Sequence, residues 1–307
     1  MLAMQTKKQI QRLLASAGVW PNKRLGQHFL IDLNLMRLLI DSANIHSNDV
    51  VLEVGCATGS LTEALSQRAG KVIAVEFDKT LAEIAKKQLT KAENVEIINA
   101  DILENKNTIS QVVTSALELA CEKCSGRILL VANLPYSVAS PVMLNLVTGP
   151  AIADGMYVTV QKEVADRMAA TPGSKDYGAL SIHLRATGEV KTMRLVKPTA
   201  FWPQPQVDSA MVSFAHQKEK SSHIQNISLL AETVSLFMNH RRKMLKSCIK
   251  SAPLLSCESK KGGRLAQISN WPEIFEQCSI DSTQRPEQLW PQDYIAIANQ
   301  CYRLLKS

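Results

Sequence analysis

The stretch VLEVGCATGSLTEAL (residues 51–65) joins an apolar run to a glycine-bearing turn and then to a helical pattern. A strand, a turn and a helix N-terminus in this order present backbone N–H groups to a ligand. Gly55 and Gly59 are four residues apart, so the dinucleotide pattern G-x-G-x-x-G is absent. The stretch therefore predicts the first βα unit of a parallel sheet, and it favours a nucleoside cofactor other than NAD.

Short apolar runs and helical patterns alternate from this unit to about residue 190. The predicted strands are Val50–Val54, Lys71–Glu76, Val95–Asn99, Arg127–Asn133 and Met156–Gln161. The predicted helices between them are Leu61–Ala69, Lys79–Leu89, Ile109–Ala120 and Val138–Val147. Apolar runs that alternate with helices indicate βαβ units, so we predict a Rossmann-like α/β fold with an open, mostly parallel sheet.

The pattern changes after Val160. Two further helices are predicted, Lys162–Ala170 and Ala179–Thr187. The runs Glu189–Val196 and Val207–Phe214 flank KPTAFWPQP (197–205), whose prolines predict that no regular structure lies between them. We predict that the two runs form an antiparallel pair that closes one edge of the sheet.

The composition turns polar and then helical from about His216 to the end. We therefore predict two domains. Residues 1–215 would form the α/β domain with a basic N-terminal arm, and residues 216–307 would form a small helical domain.

The formal charge of +7 on 307 residues is concentrated in two segments. One is the N-terminal arm, where no acid precedes Asp32; its cations are Lys7, Lys8, Arg12, Lys23 and Arg24. The other has no acid between Asn239 and Cys257; its cations are Arg241, Arg242, Lys243, Lys246 and Lys250. Either segment alone could be an ordinary solvated surface, but two in one chain favour a nucleic-acid partner.

Cysteine and hydropathy patterns exclude several classes of protein. Seven scattered cysteines are typical of a protein from a reducing compartment. The single C-x-x-C, at Cys121 and Cys124, lacks the two further ligands that a tetrahedral zinc site needs, so we expect no metal. No apolar run approaches the ~20 residues of a membrane span. The acid-free arm is also typical of a mitochondrial transit peptide. However, LGQHFL follows it closely and looks like part of the working protein, so we expect a cytoplasmic location. We also expect a monomer.

Two acids follow the next strands in the series. Glu76 ends the strand in KVIAVEFD (71–78), about 20 residues beyond the glycine turn, where an acid can accept both ribose hydroxyls. Asp101 follows the strand in VEIINADIL (95–103), where it can accept from an adenine amino group. Because the carboxyl ends of parallel strands meet at one crevice, the three features together predict S-adenosylmethionine as cofactor.

The stretch VANLPY (131–136) ends the fourth predicted strand, and it could be a proline turn or a pocket for a base. The Asn133 side-chain oxygen and the Leu134 carbonyl are two acceptors for an exocyclic amine. Pro135 fixes φ and adds no competing donor. Tyr136 offers a face on which an unpaired base can stack. The asparagine beside a nucleoside crevice favours the pocket, with the proline making the turn that orients it.

With these motifs, the chain resembles the ribosomal RNA adenine-N6 methyltransferases. It is most similar to the kasugamycin-sensitivity branch, which dimethylates two adjacent adenines near the 3′ end of small-subunit rRNA. The stretches that carry the resemblance are LGQHFL (25–30), VLEVGCATGSLT (51–62), VIAVEFD (72–78), NADIL (99–103), NLPYSVASP (133–141), QKEVADRM (161–168), PGSKDYGALS (172–181), FWPQPQVDSA (201–210) and NHRRKML (239–245).

The resemblance implies a class I methyltransferase sheet, site residues and a partner, small-subunit rRNA in a pre-30S particle. The implied S-adenosylmethionine contacts are His28, Leu30, Gly55, Glu76, Asp101 and Asn133. Asn133, Leu134 and Tyr136 would hold the target adenine, with Phe201 as a second aromatic wall. The C-terminal domain would bind RNA, with phosphate contacts at Arg241, Arg242 and Lys243.

The chain departs from the family pattern at two positions. His28 stands where the family usually has asparagine, and Ala57 replaces the middle glycine of G-x-G-x-G. If that position needs a positive φ, the methyl group costs about 1 kcal/mol, and we expect weakened cofactor binding.

The expected chemistry is direct SN2 transfer to adenine N6 without a dedicated general base; His28 is the nearest candidate for one, and we do not assign it that role. Two alternatives stay open, a non-catalytic rRNA-binding assembly factor and a methylase of 23S rRNA.

Overall fold

The apolar runs of the first 216 residues form a seven-stranded sheet. The structure is a computed structural model that describes residues 4–22, 26–105, 108–250 and 263–306. In chain order the strands are β1 (Phe29–Leu30), β2 (Val50–Val54), β3 (Lys71–Glu76), β4 (Val95–Asn99), β5 (Leu103–Asn105), β6 (Thr108–Ile109), β7 (Ile128–Asn133), β8 (Gly155–Gln161), β9 (Gly188–Val196), β10 (Phe201–Trp202) and β11 (Ser209–His216). The order in the sheet is β4-β3-β2-β7-β8-β11-β9.

The central strands are parallel and covered on both faces. β2 pairs in parallel with β3 and with β7, and β4 and β8 extend the parallel part on either side. Every residue of β2 is buried, as expected for a strand between two helical layers. β11 pairs antiparallel with β8, and β9 lies beyond it at the edge. The predicted Rossmann-like α/β class is confirmed.

The helices follow the predicted positions closely. In chain order they are α1 (Lys7–Ser16), α2 (Leu33–Ser42), α3 (Ser60–Ser66), α4 (Lys79–Gln88), α5 (Gln111–Lys123), α6 (Ala139–Thr148), α7 (Lys162–Ala169), α8 (Ala179–Thr187), α9 (Lys218–Ser221), α10 (Ile227–Met238), α11 (Leu245–Cys248), α12 (Trp271–Gln277) and α13 (Pro291–Lys306). The N-terminal arm, predicted only as basic, contains α1. Its capping box, Thr6 with Gln9, is a sequence signal that predicts this helix start.

One expectation about the sheet edge was wrong. The segment between β9 and β11 contains the short strand β10, in which Phe201 pairs with Leu30 and Trp202 with Phe29. The prolines flank these two residues and do not interrupt them. Hydrogen-bond partners supplied by a segment about 170 residues away cannot be read from local pattern.

The chain forms two compact units, Met1–Ala165 with Val190–His216, and Asp166–Glu189 with Gln217–Ser307. The second unit therefore also includes Asp166–Glu189, which the sequence analysis had placed in the first domain. The core of the second unit centres on Phe237, whose ring contacts Trp271, Phe275 and Tyr294. Within the described residues, no helix combines the length and the apolar character that crossing a membrane requires.

Candidate active site

The carboxyl ends of the parallel strands line a cavity of about 310 Å³ in the first unit. Nearly all the predicted cofactor and adenine contacts line it: His28, Leu30, Gly55, Glu76, Asp101, Asn133, Leu134 and Tyr136. Open α/β sheets bind ligands in this position because neighbouring strand ends and helix N-termini converge there. The structure thus brings together residues that lie more than 100 positions apart in the chain.

The glycine turn after β2 requires glycine at its first position. Gly55 has φ +80°, and a Cβ there would lie 2.8 Å from Cγ of Pro135. Real Cβ atoms do not approach that closely, so Gly55 lets the Asn-Leu-Pro-Tyr segment close against the turn. The two motifs that the sequence analysis treated separately are in direct contact.

Ala57 occupies the same turn with φ +53°, the left-handed region that favours glycine. This conformation costs an alanine roughly 1–2 kcal/mol. Its methyl group lies against a small apolar cluster that includes Ile10 and Leu81. The expected cost of the methyl group depended on a positive φ at this position, and Ala57 has one. The turn therefore folds with a strained alanine.

We expect Ala57→Gly to raise the free energy of unfolding by about 1 kcal/mol, because glycine adopts positive φ without strain. Urea denaturation measures this change. The affinity for S-adenosylmethionine, measured by calorimetry, should also rise if the methyl group crowds the cavity.

Ser279→Gly is the matched control, since Ser279 has φ +56° and lies exposed in the second unit. It should stabilise the protein without changing cofactor affinity. An unchanged affinity in Ala57→Gly would show that the methyl group does not crowd the ligand.

Glu76 fastens the glycine turn to the end of β3. Its Oε2 accepts from the Ala57 N–H at 2.8 Å and its Oε1 from the Asp78 N–H at 2.9 Å. The side chain is 7% exposed, and burial raises its pKa, while the two N–H donors oppose the rise. A carboxylate accepts about four hydrogen bonds, so each oxygen retains capacity for a ligand hydroxyl.

Asp101 follows β4 at the same edge of the sheet and is exposed. Its Oδ1 accepts from the Leu103 N–H at 2.9 Å, which fixes the carboxylate orientation. Oδ2 remains for a donor such as an amino group.

Glu53 is a cavity residue that the sequence analysis did not single out. It is the last but one residue of β2 and is 2% exposed, and its Oε2 has no hydrogen-bond partner among the described residues. Burial raises the pKa of Glu53 to about 8, and the nearby Glu76 carboxylate adds to the rise. An acid in the apolar run VVLEV was the available signal. The structure thus places a protonated carboxyl group inside the cavity.

We expect Glu53→Gln to remove a pH dependence of stability. A folded pKa of about 8 lies above the ordinary value of 4.5, so the stability contribution is complete below pH 4.5 and is lost as the pH rises to about 8. The loss reaches at most about 5 kcal/mol. Urea denaturation from pH 5 to pH 9 should show a steeper fall for the unmodified protein than for the variant. Glu83→Gln on the exposed face of α4 should leave the profile unchanged; equal slopes in all three proteins would refute the assignment.

Asn133 at the end of β7 has a fixed amide orientation. Its Nδ2 donates to the His28 carbonyl oxygen at 2.9 Å, and a carbonyl can only accept. Its Oδ1 is therefore the other atom, and that oxygen is buried with no partner among the described residues. A buried unsatisfied acceptor costs about 1–3 kcal/mol. A ligand N–H would satisfy this oxygen.

Leu134 supplies the second predicted acceptor. Its N–H donates to the Thr159 carbonyl at 3.1 Å, which ties the segment to β8. The Leu134 carbonyl receives no N–H from any residue that the structure describes. Two acceptors on consecutive residues are thus both open to a ligand.

Tyr136 is held from two sides. Its hydroxyl lies 2.9 Å from Oγ of Ser209, and its ring stacks on His28 with centroids 5.7 Å apart and planes at 30°. Nδ1 of His28 lies 2.7 Å from the Pro203 carbonyl oxygen, so Nδ1 must carry the proton. Nδ1 of His28 is therefore used in a hydrogen bond within the protein, and Nε2 can bind a ligand. Neither Ser209 nor Pro203 was predicted from sequence.

Phe201 does not belong to this cavity, which corrects its assignment as a second aromatic wall. The side chain is 1% exposed and packs in the core of the first unit, near Leu30 and Ala200. In β10 successive residues point to opposite faces, so Phe201 enters the core while Trp202 stays partly exposed. The aromatic ring that faces Tyr136 is His28.

The predicted phosphate contacts of the second unit differ in their surroundings. Arg241 donates to Oε2 of Glu287 at 3.0 Å and to the Lys175 carbonyl at 3.0 Å. Its guanidinium therefore stabilises the loop that contains PGSKDYG and is not free for phosphate, which corrects its assignment. Arg242 and Lys243 are exposed and form no ion pair with any described residue. Lys23 and Arg24 lie outside the described residues.

We expect Arg241→Ala and Arg242→Ala to act on different properties. Loss of the partly buried Arg241 pair should lower the free energy of unfolding by about 1–2 kcal/mol. The Arg242 variant should leave stability unchanged and weaken RNA binding at low salt. Urea denaturation and RNA titration measure the two effects; a destabilised Arg242 variant with normal RNA binding would contradict this division.

The cavity fits S-adenosylmethionine on three observations of its own. Buried polar atoms that lack a partner among the described residues lie at Asn133 and Glu53, where polar groups of a ligand would complete their hydrogen bonds. Gly55 lines the cavity without a side chain, so the backbone of the turn is exposed to a ligand there. Glu76 retains acceptor capacity for hydroxyls. No cluster of His, Cys, Asp or Glu suited to a metal occurs in the described part of the chain.

Comparison with known proteins identifies the family. The family model described as ribosomal RNA adenine dimethylase matches residues 20–259. The chain belongs to this family. The matched range includes every residue described above for the cavity. Methyl transfer from S-adenosylmethionine is the chemistry of this dimethylase family.

One relative and two solved structures show how far the similarity extends. The chain is 34% identical over 303 residues to a ribosomal RNA small subunit methyltransferase A of Geobacillus sp., covering 98% of both chains. It superposes on a dimethyladenosine transferase of Plasmodium falciparum with a TM-score of 0.67 at 22% identity, covering 90% of this chain and 98% of that one. It superposes on the 23S rRNA methyltransferase ErmE with a TM-score of 0.56 at 19% identity, covering 89% of this chain and 99% of that one. At these identities the two structures support the fold alone.

Proposed function

We propose that this dimethylase methylates N6 of two adjacent adenines near the 3′ end of small-subunit rRNA, within a pre-30S particle. The observation that carries the proposal is the buried, unpaired Oδ1 of Asn133 at the carboxyl end of β7. Nearly full-length similarity to a small-subunit methyltransferase supports this substrate over 23S rRNA. The protein would act as a monomer in the cytoplasm.

The two acceptors on Asn133 and Leu134 would activate the target amine. An adenine amino group is a poor nucleophile because its lone pair is delocalised into the ring. Hydrogen bonds from both its N–H groups, to Asn133 Oδ1 and the Leu134 carbonyl, would hold that lone pair towards the methyl donor. Rate enhancement would come from this alignment and from preorganised electrostatics, without a covalent intermediate.

Tyr136 would hold the plane of the base. Burial raises the pKa of the Tyr136 hydroxyl, so the group stays neutral and keeps its hydrogen bond to Ser209. The ring orientation is therefore fixed before the base arrives. A preordered stacking surface reduces the entropy lost on binding an unpaired base.

Residues of the first unit would bind the cofactor. Glu76 would accept from ribose hydroxyls and Asp101 from the adenine amino group, with Gly55, Leu30 and His28 completing the walls. S-adenosylmethionine supplies the methyl group on a sulfonium. The proton released from N6 leaves after transfer, so no side chain needs to act as a strong base.

The experiment is methyl transfer to 30S subunits that lack the modification, followed by mass spectrometry of the adjacent adenines. We expect two methyl groups on each of two adenines, and none with Asn133→Ala. Transfer that survives this substitution would remove the assignment of Asn133. Tight 30S binding without transfer would indicate an assembly factor, and transfer only to 23S rRNA would indicate the other methylase class.

A further inference from the structure

A second cleft, also of about 310 Å³, lies on the first unit beside α1. Its walls include two tryptophans, Trp20 and Trp202, and two cations, Lys8 and Arg12. None of these four residues lines the active-site cavity. The cleft is therefore a feature that methyl transfer itself does not explain.

The sequence of α1 separates an anchoring side from a cleft side. Ile10 and Leu14, four residues apart, are each 2% exposed and pack in an apolar cluster with Phe29. Lys8 and Arg12 have the same i, i+4 spacing, so they share another side of the helix. Burial of the first pair holds the two cations at the cleft.

The end of α1 turns the chain so that Trp20 comes beside the helix. Gly18 has φ +68°, and the N–H of Val19 donates to the Leu14 carbonyl at 3.0 Å. The Gly18 N–H donates to the Ala15 carbonyl at 3.1 Å, which completes a Schellman motif. Trp20 follows directly and is placed by this turn.

The exposure of Trp20 leaves its indole ring available to a ligand. Trp20 is 77% exposed, although large aromatic side chains are usually covered in folded domains. Trp202 is partly exposed and tilts against Phe29, with ring centroids 6.0 Å apart. Two indole rings at one cleft offer faces for stacking by flat groups.

The charge of the cleft selects the ligand class. Lys8 and Arg12 are exposed, and neither forms an ion pair with any residue in the described ranges. No acid precedes Asp32 in the sequence. Aromatic faces interleaved with unpaired cations are the pattern that binds single-stranded nucleic acid, since the bases stack and the cations meet phosphates.

The cleft and the active site share a structural wall. Trp202 pairs with Phe29 in the β1–β10 ribbon, and Phe29 also lines the active-site cavity. The next residue after Trp202, Pro203, holds His28 through its carbonyl oxygen. A strand of RNA whose target base enters the cavity would therefore have neighbouring nucleotides close to the cleft.

We propose that the Trp20–Trp202 cleft binds an unpaired nucleotide of the RNA substrate, with its base against the indole rings and its phosphate at Lys8 and Arg12. The inference rests on the proposed function for the identity of the RNA. It adds a nucleotide subsite outside the methyl-transfer cavity.

The test measures RNA affinity and catalysis separately in the full-length protein. Binding of a short, labelled, single-stranded oligoadenylate is followed by anisotropy for Trp20→Ala and for the double variant Lys8→Ala with Arg12→Ala. We expect about tenfold weaker binding by Trp20→Ala, the size of one lost stacking contact. The double variant should also reduce the slope of log K against log salt by about 1–2.

Two matched controls use residues that do not line the cleft. Trp290→Ala removes another exposed tryptophan, and Lys87→Ala removes an exposed helix cation on α4. Both should bind the oligonucleotide as the unmodified protein does. With 30S substrate, Trp20→Ala should raise KM about tenfold with little change in kcat, and its affinity for S-adenosylmethionine should be unchanged.

Unchanged oligonucleotide affinity in Trp20→Ala and in the double variant would overturn the proposal. Equal losses in Trp20→Ala and Trp290→Ala would also overturn it, because binding would then not be specific to the cleft. Failure of the proposed function has a different signature. In that case the unmodified protein transfers no methyl group to 30S subunits, while the cleft variants still lose affinity for the oligonucleotide.

Discussion

Replacing Asn133 with alanine is expected to lower methyl transfer by about a hundredfold to a thousandfold, the range seen when one preorganised polar group at a reaction centre is removed. The reason is the unpaired Oδ1, the acceptor that would orient the amine lone pair. The Nδ2 bond to the His28 carbonyl would also be lost, so some loosening of the His28–Tyr136 stack should follow. Single-turnover transfer to 30S subunits measures the effect.

Asn145→Ala is the control for this substitution. The Asn145 side chain donates to the Pro141 carbonyl within α6 and does not line the cavity. Its transfer rate should match that of the unmodified protein. A rate for Asn133→Ala within a factor of about three of the unmodified protein would exclude Asn133 from amine activation.

Replacing Glu76 with alanine is expected to weaken S-adenosylmethionine binding by about a hundredfold or more, since hydrogen bonds to a charged acceptor contribute ~1.5–3 kcal/mol each. The same change leaves the Ala57 and Asp78 N–H groups without their acceptor. We therefore also expect a loss of about 1–3 kcal/mol in the free energy of unfolding. Calorimetry and urea denaturation separate the two effects.

Glu96→Ala serves as the control, because Glu96 lies on the edge strand β4, pairs with Lys71 at 3.2 Å and does not line the cavity. Cofactor affinity should be unchanged in that variant. Suppose that Glu76→Ala is less stable but binds the cofactor with normal affinity. Glu76 would then stabilise the turn without contacting the ribose.

Two of the predicted site residues also make structural contacts that the motifs alone did not reveal. Glu76 was predicted as a ribose acceptor, and it also closes the glycine turn through the Ala57 N–H. The His28 backbone carbonyl orients Asn133, while its ring stacks on Tyr136. Substitutions at these positions will therefore change geometry and ligand contact together, which is why stability and binding need separate measurement.

The strands and helices of the α/β unit follow from the sequence because local pattern determines them. The bounds of β2, β3 and β4 agree with the predicted strands at both ends. Continuous apolar runs form strands buried on both faces, and acids at their ends mark the crevice of a parallel sheet. The motifs predicted one cavity, and all but one of the predicted cofactor and adenine residues line it.

The assignments of Phe201 and Arg241 were wrong for the same physical reason. Phe201 and Arg241 each have a side chain suited to RNA, but each is engaged by partners distant in sequence. Phe201 pairs with Leu30 and enters the core, and Arg241 bonds Glu287 and the loop at Lys175. Residue type and motif position predict what a side chain can do, whereas packing decides whether it remains available.

By itself the sequence determined the parallel sheet, the crevice at its carboxyl ends and the acceptors that meet there, because periodicity and strand-end chemistry are local properties. Only the tertiary structure decided which way the Asn133 amide points, and that required a bond to His28, 105 residues away. It also decided that Trp20 and Trp202 share a cleft and that His28 meets Pro203 across 175 residues. Such contacts depend on how distant segments pack, and no local pattern encodes them.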